Sequence, residues 1–330
     1  KECDWSSDVC SSDLEFGFDL SADDEEGSGR GHSRKDRSRT RQARQVGGSL
    51  PAYREVRMWH RKPAVAGSFY PSNPGKLSAD IDGYLKNAAG SAIEGELFGI
   101  IVPHAGYVYS GPVAEYSYNL LKSLDVRVAV VLAPCHRARF DGASVIPSGL
   151  YSTPLGDVTI DEAIGNELVR SPRMKFIREA HDSEHSLEVQ VPFLQRVLGD
   201  FTLVPIVVGT TDLAVCRSLA ADMAEVLSRE ERRFVIVIST DLSHYHPYQE
   251  ARRIDGVFIE TLRRYDTAEL YSTLGADRAQ ACGEGPVPTG MELGSRMGAS
   301  RVEVLKYANS GDTAGGRDQV VGYLAAAIVK

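Results

Sequence analysis

The chain has 330 residues, 42% of them hydrophobic and 25% charged, a globular composition with enough apolar residues for a core that needs no covalent staples. A formal net charge of -8 argues against nucleic acid or an anionic membrane as the main partner, and no apolar run approaches the roughly 18 residues of a membrane span. The cysteines Cys3, Cys10, Cys135, Cys216 and Cys282 are odd in number and scattered, which argues against a disulfide framework. With no secretory leader pattern, the expected location is the cytoplasm.

Residues 1–57 differ in kind from the rest. An acidic, Ser-rich start with "DDEE" gives way to "RGHSRKDRSRTRQARQ", and low apolar content with segregated charge predicts disorder. A basic interaction tail is the functional alternative. The stretch "DWSSDVCSSDL", Asp4 to Leu14, resembles the codon-for-codon translation of a common sequencing-adapter end, which would make this segment an artefact and Met58 the true start.

From Met58 onward there is no repeat and no separating linker, so a single domain over 58–330 is expected. Helical spacing over Lys76 to Lys86 precedes a strand at Phe98 to Val102. "SGPVAEYSYNLLKSL" then opens a helix, with Ser110 as its N-cap and Pro112 near its first turn. A buried strand at Val126 to Ala133 is followed by shorter extended pieces near Ala143 to Pro147 and Val158 to Ile160. "HSLEVQVPFLQRVLG" has helical spacing ending on Gly199. Thr202 to Val208 reads as a strand, Asp212 to Ser228 as a helix, Phe234 to Ser239 as a strand and Pro247 to Tyr265 as a helix. Helices at Thr267 to Leu274 and Met291 to Met297 precede terminal strands at Val302 to Tyr307 and Val320 to Ile328. Continuous β-branched runs separated by helices predict a three-layer α/β/α sandwich around a central mixed, largely parallel sheet.

Three of these strands run out into histidine. "FGIIVPHAGY" places His104, "VAVVLAPCHR" places His136 and "VIVISTDLSHYH" places His244 just beyond strand ends, which a parallel sheet gathers on one edge, the ligand-binding edge of open α/β folds. Taken singly, each is ordinarily a surface or hydrogen-bonded residue; together they can meet around a cation. Cys282 sits in the Gly-rich "ACGEGP", where it is either a buried small hydrophobe or a closely approaching thiolate, and Cys135 beside His136 carries the same two readings. His181 and His185 in "HDSEHSLEVQ" are spaced to share a helix face as a metal pair, with capping and charge pairing by Asp182, Glu184 and Glu188 as the alternative. Phosphate-binding loops, a G-x-S-x-G elbow and C-x-x-C are absent.

The segments "AGSFYPSNPGKL", "PHAGYVYSGPVAEYSY", "APCHR", "EHSLEVQVPFLQ", "STDLSHYHPY", "ACGEGPV" and "VVGYLAAAI" together resemble the Memo family, whose bacterial and archaeal members are called AmmeMemoRadiSam system protein B. The likeness runs collinearly from Arg61 to Lys330. It implies a fold like that of the class III non-haem iron extradiol dioxygenases, with His104, His136 and Cys282 as metal ligands and Asp241 and His244 as catalytic cleft residues, His244 as acid/base. Fe(II) is the implied metal, with Cu or Zn as rivals because a thiolate softens the site. The function implied is an oxidoreductase of unknown substrate, a small molecule or peptide, acting with AMMECR-type and radical SAM proteins. Non-catalytic phosphopeptide binding and iron or copper handling are the alternatives. Two departures bear on this: Cys135 directly precedes His136, and Cys282 stands where the dioxygenases use a carboxylate.

Overall fold

Strands that are apolar along nearly their whole length must be covered on both faces, and four such runs form the centre of the molecule. The computed structural model describes residues 59–88 and 92–330; the expectations for residues 1–57 and for a start at Met58 lie outside them. Within Glu55–Lys330, a single compact unit, the chain opens with β1 (His60–Arg61), α1 (Pro74–Asn87), β2 (Leu97–Val102), α2 (Tyr107–Asn119) and β3 (Val128–Pro134). There follow β4 (Ala143–Val145), β5 (Leu150–Thr153), β6 (Gly156–Thr159), α3 (Glu162–Leu168), β7 (Met174–Lys175), α4 (Glu179–Asp182), α5 (His185–Glu188) and α6 (Gln190–Val197). Next come β8 (Thr202–Val208), α7 (Leu213–Leu227), β9 (Phe234–Ser239), β10 (Asp241–His246), α8 (Tyr248–Arg263) and α9 (Thr267–Gly275). The chain closes with α10 (Pro286–Arg296), β11 (Arg301–Asn309), α11 (Ser310–Thr313) and β12 (Val320–Val329).

Nine strands form the main sheet in the order β10-β12-β2-β9-β3-β8-β4-β7, with β11 on β12; β1, β5 and β6 make a small second sheet. The parallel ladders join β2, β9, β3 and β8, plus β4 with β7. Antiparallel β12 and β4 flank the centre, so the sheet is mixed. Side chains alternate across it as the period of 2 requires. Val130, Leu132, Val204, Ile206, Ile236 and Ile238 pack on one face with helix residues such as Leu219, Met223, Phe258 and Met291. Ala129, Val131, Leu203, Val207, Val235 and Val237 pack on the other with Leu77, Ile81, Tyr118 and Phe193. Two cores on opposite faces of one sheet make the α/β sandwich expected from the sequence.

Four local expectations change. Ser110 is not an N-cap: α2 begins after Gly106, and the Ser110 hydroxyl, one turn inside, donates to the Ala105 carbonyl at 2.7 Å, so Pro112 lies within the helix rather than in its first turn. The helical run from His185 breaks at Val189 into α5 and α6, because Pro192 has no N–H to give the Glu188 carbonyl and its ring crowds it. α10 starts earlier than predicted, at Pro286, where a missing N–H costs a first turn nothing. "DLSHYH" is a strand rather than a loop. It pairs with β12 through two register shifts, and Tyr245 absorbs the irregularity with φ of 60°.

Candidate metal centre

The C-terminal ends of β2, β3 and β9 lie side by side, and each delivers part of one cluster. His104 follows β2, His136 follows β3 and Ser239 ends β9, while α5 brings Glu184 and His185 up from the adjoining helical layer. The loop before α10 brings Cys282. Its approach depends on glycine: a Cβ on Gly283 would sit 2.5 Å from the Thr240 side chain, and one on Gly285 would sit 2.2 Å from the Thr210 carbonyl.

His104 is buried, and its hydrogen bonds assign its tautomer. The Ser239 hydroxyl donates to the Ser186 carbonyl at 2.8 Å and accepts from Gln190 Nε2 at 2.9 Å, so the 2.8 Å bond with His104 Nδ1 is one the ring donates. The lone pair is therefore on Nε2, which faces Cys282 Sγ at 3.0 Å. At His136, Nδ1–H donates to Glu184 Oε1 at 2.9 Å, so Nε2 is the nitrogen not engaged by the carboxylate. Metal-binding imidazoles characteristically give their second nitrogen to a carboxylate or other acceptor in this way.

One ring nitrogen from each of His104, His136 and His185 lies within 4.8 Å of the others, the group among the described residues with metal-holding spacing. The rings of His136 and His185 stack at 4.7 Å between centroids, and that of His104 meets them edge-on at 5.3 and 5.5 Å. Cys282 meets this group through His104, and its sulfur also accepts from the Asp241 N–H at 3.1 Å. His104 is nearly inaccessible, whereas the His136 side chain is 30% exposed, so the centre opens to solvent on that side.

Burial sets the protonation of these groups. It drives His104 well below its usual range, helped by the neighbouring imidazoles, and holds His185 down to about 4. His104 is thus neutral, and its 3.8 Å approach to Asp241 Oδ2 is not an ion pair. Burial, then the Asp241 carboxylate, pushes the Cys282 thiol well up. Asp241 is itself raised to about 7 by burial, against the hydrogen bond it accepts from the His104 N–H at 2.8 Å. For Glu184 burial works upward too, but the hydrogen bond and charge of His136 and the charge of His185 prevail and hold it down to about 2.

The remaining candidates separate from this cluster in different ways. His244 donates from Nδ1 to the Leu242 carbonyl at 2.8 Å and is lowered by burial and by the charge of His136, which puts it in electrostatic reach of the cluster. His246 lies in β10 and bonds Gln280 Oε1 at 2.8 Å. Cys135 is half-buried and accepts from the Ala138 N–H at 3.3 Å. His181 and His185 do not share a helix face: Glu184 caps α5 by accepting from the Ser186 N–H, which ends α4 before it. His181 faces the other way, bonded to Ser144 at 2.9 Å and packed on Trp59 and Phe176. Of the two readings for this pair, the structure shows capping, by Glu184. The helical start of His185 behind a carboxylate was the available signal.

Among the described residues, no helix is long and apolar enough to cross a membrane. The family model for Memo-like proteins matches residues 61–327. A MEMO1 family protein of Thermoplasma volcanium is 37% identical over 265 residues, covering 80% of this chain and 96% of that one. One from Methanopyrus kandleri is 38% identical over 275 residues, covering 80% and 97%. Among solved structures, an uncharacterized protein of Escherichia coli K12 aligns with a TM-score of 0.48 at 15% identity, over 71% of this chain and 100% of that one.

Proposed function

This chain belongs to the Memo-like protein family, and from that premise we propose that it is a metal-dependent oxidoreductase whose centre is held by His104, His136 and Cys282. The observation that carries the proposal is the support of the two imidazoles. Ser239 and Glu184 accept the Nδ1–H bonds, which leaves each Nε2 to face a ligand, that of His104 beside a buried thiol. The family resemblance points to iron(II), and two imidazoles with a thiol that ionises on binding admit copper and zinc as rivals. Bound there, such an ion supplies Lewis acidity and, as iron or copper, one-electron chemistry.

The chain's own residues do the rest. His244, kept neutral by burial and with Nδ1–H fixed on the Leu242 carbonyl, has Nε2 available to accept a proton. Asp241, raised to about 7, can hold a proton at neutral pH while its Oδ1 anchors the backbone of His104. The 30% exposure of His136 gives a ligand from solvent a way in, which supports a working centre over a closed structural one.

The test is elemental analysis after anaerobic purification, followed by oxygen uptake of the Fe(II)-loaded protein over a panel of phenolic and catecholic compounds. Stoichiometric metal with uptake for some member is expected, and His244→Ala should keep the metal and lose the uptake. Tight metal binding with a flat trace throughout would replace catalysis by metal handling.

A further inference from the structure

One buried imidazole nitrogen beside the centre, His185 Nδ1, has no hydrogen-bond partner. Glu184 Oε1 lies 3.4 Å away, but that carboxylate is already turned to the His136 N–H at 2.6 Å, His136 Nδ1–H at 2.9 Å and the Ser186 N–H at 3.0 Å. An unsatisfied buried polar atom is costly and calls for an explanation. This one stands in the ring that stacks on His136 at 4.7 Å and shares with His104 and His136 the mutual 4.8 Å spacing of metal ligands.

We propose that His185 is a further ligand of the metal, so that the centre is a three-imidazole set completed by the Cys282 thiolate. This rests on the metal-centre reading above. It changes what that centre can hold. Three nitrogens and one sulfur fill the tetrahedral shell of Zn(II) or Cu(I) and leave an octahedral iron(II) two open positions instead of three. The fold supplies the means: Glu184, by capping α5, sets His185 as the first helical residue while holding His136 with the same carboxylate. Phe69 backs the His185 ring at 4.8 Å, so its orientation is packed rather than free.

The experiment uses the full chain, purified anaerobically and loaded with Co(II), alongside His185→Phe, which keeps the ring stacks without the nitrogens, and Cys282→Ser. X-ray absorption counts imidazole and sulfur scatterers, and chelator competition gives affinity. Expected are three imidazoles and one sulfur in the parent. In His185→Phe one imidazole should be lost and Co(II) bound at least about 100-fold more weakly, since even residues behind the ligands cost 10–100-fold. Cys282→Ser should lose the sulfur and keep all three imidazoles. A folded His185→Phe with unchanged affinity and imidazole count overturns the inference and leaves the centre standing. If that variant does not fold, the parent spectrum decides, with two imidazoles as the overturning result. A parent that binds no metal at all sinks the underlying reading instead.

Discussion

Glu184 shows how much one side chain settles at this centre. Its two oxygens accept from the backbone and ring of His136 and from the Ser186 N–H, and these bonds outweigh a burial that would raise the carboxyl. Glu184→Gln keeps the volume but turns one acceptor into a donor facing His136 Nδ1–H, so metal affinity should fall about 10–100-fold in chelator competition; unchanged affinity would mean that the ring is held by packing alone. His181 allows a second, independent test. Burial holds it down to about 3, so between about pH 6.5 and 3 the unfolded chain binds a proton that the folded one does not. Stability should be intact above pH 6.5 and fall as pH drops, by on the order of 3 kcal/mol at pH 4 from this group. In urea titrations across that range, His181→Gln should decline less steeply than the parent, and equal slopes would contradict the assignment. His181 and His185 stand in one sequence motif, and spacing could not tell them apart. What separates them is the cap at Glu184, a local bond that breaks the helical period.

The elements that carry the site differ in how plainly the sequence announces them. β2, β3, β8 and β9 are continuous apolar runs whose neighbours in the sheet hardly alter the reading, and His104 and His136 follow from their ends. β10 is polar and irregular, and becomes a strand because β12, some 80 residues later, pairs with it and tolerates a bulge at Tyr245. Such a long-range partner leaves no trace in local periodicity. Glu188, the last residue of α5, turns inward. Glu188 is fully buried, accepts from the Ala64 and Val65 N–H groups at 2.8 and 3.1 Å and from Tyr70, and pairs with buried Arg61. Arg61 in turn donates to the carbonyls of His181 at 3.1 Å and Glu184 at 2.8 Å, so β1 is tied to the backbone that presents His185. Glu188→Ala strands a buried guanidinium and should cost about 3–5 kcal/mol in chemical denaturation. A loss under about 1 kcal/mol would show that water or Tyr151, whose ring lies 4.9 Å from the guanidinium, compensates.

For the molecule as a whole, the position of the proposed centre would couple metal binding to stability. The two cores are separated by the sheet, and the proposed ligands sit where strands from its middle, the helical layer carrying α5 and the loop before α10 converge. An ion held there bridges segments far apart in the chain, and none of that geometry survives unfolding, so binding should stabilise the fold by mass action. At a free Fe(II) concentration 100 times the dissociation constant the gain is about 2.7 kcal/mol. For a domain of this size that corresponds to a rise of roughly 5–10 °C in melting temperature. Anaerobic melting curves with and without Fe(II) measure it directly, and a chelator should reverse it. Cys282→Ser should lose most of the rise, because its sulfur is the donor that draws the loop before α10 toward β2. An equal rise in that variant would locate the stabilising ion elsewhere on the chain, and no rise in the parent would mean that the cluster of imidazoles binds nothing tightly enough to matter to the fold.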